Sequence, residues 1–282
     1  MRHPDAARGA PVRGFEERSA GARYLLVAAA YRDAVERLGL PEPDAARRLL
    51  AGEAAAAGRS RTAIVSLSER APRVHLRPLR HGGLLGSFWR GALLGVGRPV
   101  RELEATAKLR AAGAPVPEPV LVACWRLAGP FWSAVVGTVH VEESRDGVAL
   151  LESDPDPDRV LRAAAAAGRA VRRFHDAGGR HADLHVKNLI FREGAGATAA
   201  WIVDLDNARA AAPPPARRRA RELMRLYRSL VKRGLLRCVG TRGCARFFEA
   251  YADGDRALRG ALRPHLRRER LRVALHALAY SR

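Results

Sequence analysis

The sequence holds few cysteines and no motif that uses them. Cys124, Cys238 and Cys244 are its only three, and none forms a C-x-x-C pair, which excludes a zinc ribbon and a thioredoxin-like redox motif. An odd, sparse count suits a reducing cytosol. No run of about 18 or more uncharged apolar residues occurs, so no transmembrane helix is expected. The opening stretch, MRHPDAARGAPVRGFEERSAG, lacks the apolar h-region of a secretory signal, and any membrane association is expected to be peripheral. There is no internal repeat, no G-x-G-x-x-G loop and no recognisable nucleic-acid-binding motif. Acids are scarce beside bases: 50 Lys and Arg oppose 29 Asp and Glu, a formal net charge of +21. Such a balance attracts polyanions, whether nucleic acid, anionic lipid or a phosphorylated glycolipid. Most of the cations are Arg spread along the whole chain, so an Ala/Arg-rich coding bias is a competing origin for part of the excess.

What is present is enough for a folded protein. The chain has 282 residues, 48% of them hydrophobic, sufficient for one large domain or two lobes sharing a cleft. Residues 1–20 are polar and read as a tail. Residues 21–39 carry Tyr24, Leu25, Ala28, Tyr31, Val35 and Leu38 at three- and four-residue spacing, which predicts a helix ended by Pro41 and Pro43. TAIVSLS and RVHLRPL read as strands. RELEATAKLRAAG reads as a helix that Gly113 stops, and APVPEPVLVACWRL and FWSAVVGTVHV follow as strands. ESDPDPD, at 152–158, is the expected lobe junction. Beyond it come a long helix, two short apolar segments around the Gly-rich turn REGAGATA, and a basic amphipathic helix, PARRRARELMRLYRSLVKRG.

The segment His181-Ala182-Asp183-Leu184-His185-Val186-Lys187-Asn188 fits H-x-D-L-x-x-x-N. Sixteen residues after Asn188 stands Asp204, preceded by the apolar Trp201, Ile202 and Val203. Phosphoryl transfer needs such a set. One carboxylate must orient the attacking hydroxyl and take its proton; an amide oxygen and a second carboxylate must hold Mg²⁺ against the nucleotide phosphates. Asp183 suits the first role, and Asn188 and Asp204 suit the second. The competing interpretation is structural, with Asp183 capping a turn and Asn188 filling a left-handed position. His175, His181 and His185 flank the site without the helical pair or partner carboxylates of a metal centre.

HADLHVKNLIF and WIVDLDNAR resemble the catalytic and metal-binding loops of the lipopolysaccharide-core kinases. Within that group the 3-deoxy-D-manno-octulosonic acid (Kdo) kinases are the closest match, with the heptose kinases next. VHLRPLRHGGLLG, RELEATAKLRAAGAPVPEPV, FHDAGGRHADLH and RELMRLYRSLVKRG are similar to further segments of these enzymes, in order, over roughly residues 58–235. The resemblance implies an α+β, two-lobed protein-kinase-like fold. A small antiparallel sheet lobe with an αC-type helix would occupy 58–151 and a larger, mainly helical lobe 152–282, after a partly helical N-terminal extension over 1–57. It implies ATP and Mg²⁺ as cofactors and a sugar hydroxyl of the lipid A-linked inner core, Kdo or else heptose, as acceptor. It further implies work at an anionic membrane surface, on the cytoplasmic face of the inner membrane, with no nucleic acid expected.

Residue by residue, Asp183 becomes the base and Asn188 and Asp204 the metal ligands. Arg77 stands where protein kinases carry the phosphate-binding lysine of the third strand. Glu102 would pair with it, and Glu104 is the competing candidate. Gly58 and Arg59, in GRSRT, are the nearest substitute for a loop over the phosphates. The sequence departs from protein kinases at Ala182, where H-R-D has Arg, and at Asp206, where D-F-G has Gly. Alternatives are a soluble aminoglycoside-type kinase and a catalytically silent kinase-like protein that binds polyanions.

Overall fold

The computed structural model describes residues 13–51, 62–68, 71–79, 92–194, 196–206 and 208–280. The chain divides into two compact units, one of residues 1–107 and 117–140 and the other of residues 108–116 and 141–282.

The first unit is an antiparallel sheet. Its strands are β1 (Phe15–Ala20), β2 (Arg23–Ala28), β3 (Ala63–Ser66), β4 (Arg73–Pro78), β5 (Leu93–Leu94), β6 (Pro119–Ala128) and β7 (Phe131–Val139). They run in the order β1-β2-β6-β7-β4-β3, with β5 also on β7. Helices α1 (Arg32–Arg37) and α2 (Pro43–Ala51) supply the small residues that cover one face, and α3 (Gly97–Ala111) packs on the other.

Side-chain alternation shows why both faces need cover. Leu25, Val27, Leu121, Ala123 and Trp125 point into a cluster with Val35 of α1 and Ala46 of α2. Tyr24, Leu26, Val122 and Cys124 point the other way, into a cluster with Leu103 of α3. A strand buried on both faces reads as an unbroken apolar run, which periodicity does not separate from a buried helix. Hence the helix expected over 21–39 is a strand through Ala28, a single 3-10 turn and only then α1. Part of the expected tail is strand β1, paired with β2 from Phe15↔Ala28 to Ala20↔Arg23. Residues 15–51 thus belong to the first unit's sheet and its covering helices, where the sequence suggested an extension over 1–57.

The second unit is mainly helical, with α4 (Gly147–Glu152), α5 (Pro157–Asp176), α6 (Ala216–Lys232), α7 (Leu236–Ala252) and α8 (Arg256–Tyr280). A three-stranded sheet joins β8 (Ser144–Asp146), β10 (Leu189–Gly194) and β11 (Ala197–Ile202), and a two-residue ladder pairs β9 (Gly179–Arg180) with β12 (Arg209–Ala210). The stretch 152–158, expected as a lobe junction, lies inside this unit and starts α5. Asp156 caps that helix by accepting from Arg159 N at 2.9 Å, and Pro157 fills the first turn, where its missing N–H costs nothing.

Helix α5 is the core of the unit. Val160, Ala163, Ala167, Ala170, Val171 and Phe174 form its buried stripe. Its small residues let α7 approach closely. A Cβ added at Gly168 would stand 2.3 Å from the carbonyl oxygen of Phe247 and 3.0 Å from Tyr251 N. Gly168→Ala is therefore expected to destabilise the protein by about 1–3 kcal/mol through overpacking, against a helix-propensity gain of about 1 kcal/mol. Gly260→Ala, on α8 with no atom within 4 Å of the added carbon, is expected to stabilise by that propensity gain alone. Urea unfolding of the two variants checks both signs.

Candidate active site

The β10–β11 hairpin closes the fifteen residues between Asn188 and Asp204. Its register runs from Leu189↔Ile202 to Gly194↔Ala197. Asn188 precedes the first strand and Val203 follows the second, and Val203 N donates to Asn188 O at 2.9 Å. The two expected metal ligands are neighbours because the hairpin has equal arms.

His181 joins the other side. Its ring is buried, Nδ1 accepts from Asp183 N at 3.1 Å, and Nε2 lies 3.2 Å from Val203 O. A carbonyl only accepts, so the proton sits on Nε2. Burial pushes this imidazole below its ordinary pKa of 6.5, which keeps it neutral, as the two bonds require. One ring thus fixes the residue before Asp204 and the backbone of Asp183 together.

Asn188 is also buried. Its Nδ2 donates to Asp183 O at 3.0 Å, which aims the amide oxygen away from that contact. Asp183 itself presents a largely exposed carboxylate, with Oδ2 3.5 Å from His185 Nε2. Asp204 has φ of 58°, a left-handed conformation that Asp adopts more readily than most residues. Buried Leu184 and Leu205 anchor the two loops in the core. Val186 N donates to Ser229 Oγ at 2.9 Å, so α6 supports the H-x-D-L-x-x-x-N loop from behind.

Beneath the loop runs a buried polar chain that the sequence did not disclose. Glu222 Oε2 accepts from His181 N at 3.0 Å and from His175 Nε2 at 3.2 Å. His175 Nδ1 lies 2.8 Å from the Tyr251 hydroxyl. Burial pushes the Tyr251 hydroxyl up to about 12, so it keeps its proton and donates to His175. Burial also lowers the His175 pKa, partly offset by Glu222. The one available signal was that Glu222 is the single acid in α6.

In the first unit, Arg77 on β4 forms an ion pair with the buried Glu102 on α3. Glu104, the other candidate, is half-buried and not in that pair. Gly58 and Arg59 lie outside the described residues. Among the described residues no group of three or more His, Cys, Asp or Glu is arranged to hold a metal, and no helix is long and apolar enough to cross a membrane.

An antiparallel sheet with a flanking helix and an Arg–Glu pair, together with a helical unit that carries an H-x-D-L-x-x-x-N loop and a hairpin to a second Asp, defines a protein-kinase-like fold. A solved structure described as WaaP in complex with acyl carrier protein shares it, at a TM-score of 0.51 and 19% identity over 83% of this chain and 95% of that one. The chain belongs to the lipopolysaccharide kinase (Kdo/WaaP) family, whose model matches residues 48–251. Curated relatives include the 3-deoxy-D-manno-octulosonic acid kinases of Vibrio cholerae, 30% identical over 54% of this chain and 62% of the relative, and of Xanthomonas campestris pv. campestris, 33% identical over 56% and 61%. The chain thus spans less than two thirds of the length of these relatives.

The neutral imidazoles make stability depend on pH. His175 and His181 in the second unit, and His75 in the first, lowered to about 4 by burial, bind protons more weakly in the folded chain than at the ordinary 6.5. Below 6.5 the unfolded chain takes up protons that the folded chain refuses. Their contribution is complete above about 6.5 and is lost on acidification, by at most about 1.4 kcal/mol per pH unit for each group. The urea midpoint is expected to fall between pH 7.5 and pH 5; an unchanged midpoint would contradict the neutral assignments.

Proposed function

We propose that this protein transfers the γ-phosphoryl group of ATP to a hydroxyl of the lipid A-linked inner-core sugar, Kdo in preference to heptose. The observation that carries this is the His181 ring, which ties the backbone of Asp183 to Val203, next to Asp204, while Asn188 bonds the Asp183 carbonyl. The family and the two named relatives support the choice of acceptor.

Asp183 is the base. Its exposed carboxylate accepts the proton of the attacking hydroxyl, and His185 at 3.5 Å helps to orient it. Asn188 and Asp204 offer an amide oxygen and a carboxylate, the hard oxygen donors that Mg²⁺ takes, and the Asn188 nitrogen is already committed elsewhere. When bound, the metal neutralises charge on the phosphates. Arg77 binds phosphate oxygens and Glu102 holds its guanidinium in place. The acceptor lies in a membrane surface, and the net charge of +21 favours peripheral binding there, at the cytoplasmic face of the inner membrane.

Asp183→Asn is expected to lower transfer from ATP to Kdo-lipid A by about 10²–10⁴-fold at unchanged melting temperature. Mass spectrometry of the glycolipid reads the product, and full turnover in the variant would remove Asp183 from the mechanism. Asp204→Asn is expected to weaken ATP binding in Mg²⁺ while leaving the metal-free binding level as it was. Titration calorimetry with and without Mg²⁺ checks this, and wild-type affinity in Mg²⁺ would exclude Asp204 as a ligand.

A further inference from the structure

A cavity of about 440 Å³ in the second unit is lined by five arginines: Arg180 on β9, Arg209 on β12, and Arg218, Arg221 and Arg225 on α6. Its remaining walls are His181 and Ala182 of the catalytic loop and Glu222 of α6. Arg180 and Arg209 are direct cross-strand partners, an arrangement in which like charges destabilise a ladder. Arg218, Arg221 and Arg225 follow one another at three- and four-residue spacing and share one face of α6.

The acids nearby do not balance this charge. Glu222 is engaged by His175 and the His181 backbone and meets Arg218 only at 3.7 Å. Arg221 meets Glu269 at 3.9 Å. Arg180, Arg209 and Arg225 have no ion-pair partner among the described residues, and Arg180 Nε is buried with no hydrogen-bond partner. Crowded, unpaired guanidinium groups cost stability, and the expected compensation is a bound anion.

The anion comes from outside the flanking segment. Residues 205–215, between Asp204 and α6, contain no Ser, Thr or Tyr, so no phosphorylated side chain of that loop can fill the cavity. The nucleotide is excluded by position: neither Asn188 nor Asp204 lines the cavity, whereas Ala182, beside the base Asp183, does. We infer that this cavity binds an anionic group of the sugar acceptor, a phosphate monoester or a carboxylate, and thereby sets the acceptor hydroxyl at Asp183. Planar guanidinium forks match either group in bidentate fashion. The inference rests on the kinase reading for its acceptor, and it assigns specificity to residues on β9, β12 and α6.

The test uses the full chain with Arg209→Gln, Arg225→Gln, the double variant and Arg209→Lys. With Kdo-lipid A and saturating ATP, each Gln variant is expected to raise the acceptor KM about tenfold and the double variant about a hundredfold, with the KM for ATP within twofold. Arg209→Lys is expected to keep part of the affinity. Wild type is then assayed on acceptor lacking the lipid phosphates and on acceptor with the Kdo carboxylate esterified. The modification that costs wild type what the double variant loses identifies the group; no loss on either acceptor overturns the inference.

Equilibrium binding of fluorescent Kdo-lipid A without ATP separates this inference from the kinase reading. Wild type that binds tenfold or more tighter than the double variant supports the cavity even where no transfer occurs. Equal binding overturns it even where transfer is intact. The ligand-free double variant is expected to melt at or above the wild-type temperature, because like charges have been removed. A lower melting temperature would mean that the arginines serve the fold.

Discussion

The second unit is organised around one buried carboxylate. Glu222 is the single acid of a helix that carries six arginines and a lysine, and it points inward rather than to solvent. A buried charge is tolerated only when its hydrogen bonds are met. Glu222 meets them with the His181 backbone N–H and the His175 ring, and His175 in turn takes the Tyr251 hydroxyl. Three helices and the start of the H-x-D-L-x-x-x-N loop thereby share one network. Arg219 adds a parallel tie, donating to Pro214 O at 2.9 Å and to Asp176 at 2.8 Å.

From that base the proposed site residues are positioned by backbone contacts more than by their own side chains. His181 grips Asp183 N and Val203 O, Asn188 grips Asp183 O, and Val203 N returns to Asn188 O. Each bond uses a main-chain group, so none of them engages the Asp183 carboxylate. The left-handed backbone at Asp204 fits this scheme. It turns the chain sharply between Val203, fixed by the hairpin, and Leu205, fixed by the core. Local strain held in place by well-packed neighbours is a common feature of sites that must be pre-formed.

The charge of the chain has a structural counterpart. Part of the +21 excess is concentrated in one arginine-lined cavity beside the H-x-D-L-x-x-x-N loop rather than being spread only over solvated faces. The same helix, α6, turns Leu223, Leu226, Met224 and the buried Arg219 inward and Arg218, Arg221 and Arg225 to the cavity. It therefore supports the loop from one side and contributes three walls of the cavity from the other.

The residues proposed for the chemistry could be picked out in the sequence because they sit at short, fixed spacings. H-x-D-L-x-x-x-N spans a single loop, and a Gly-rich turn between two apolar segments marks the hairpin that delivers Asp204. The α3 helix and its stop were legible for the same local reason, and Gly113 has φ of 82°. The β1–β2 hairpin was not, because a strand buried on both faces has lost the alternation that identifies strands. Nor were Glu222, Arg180 and Arg209. Glu222 meets a backbone amide 41 residues away, and Arg180 faces Arg209 only through a two-residue ladder. The sequence by itself determined which polar residues come together in the H-x-D-L-x-x-x-N loop and its hairpin, because local spacing dictates local geometry. Only the tertiary structure decided which distant charges meet, because register and burial, which set those contacts, are properties of packing and leave no periodic trace along the chain.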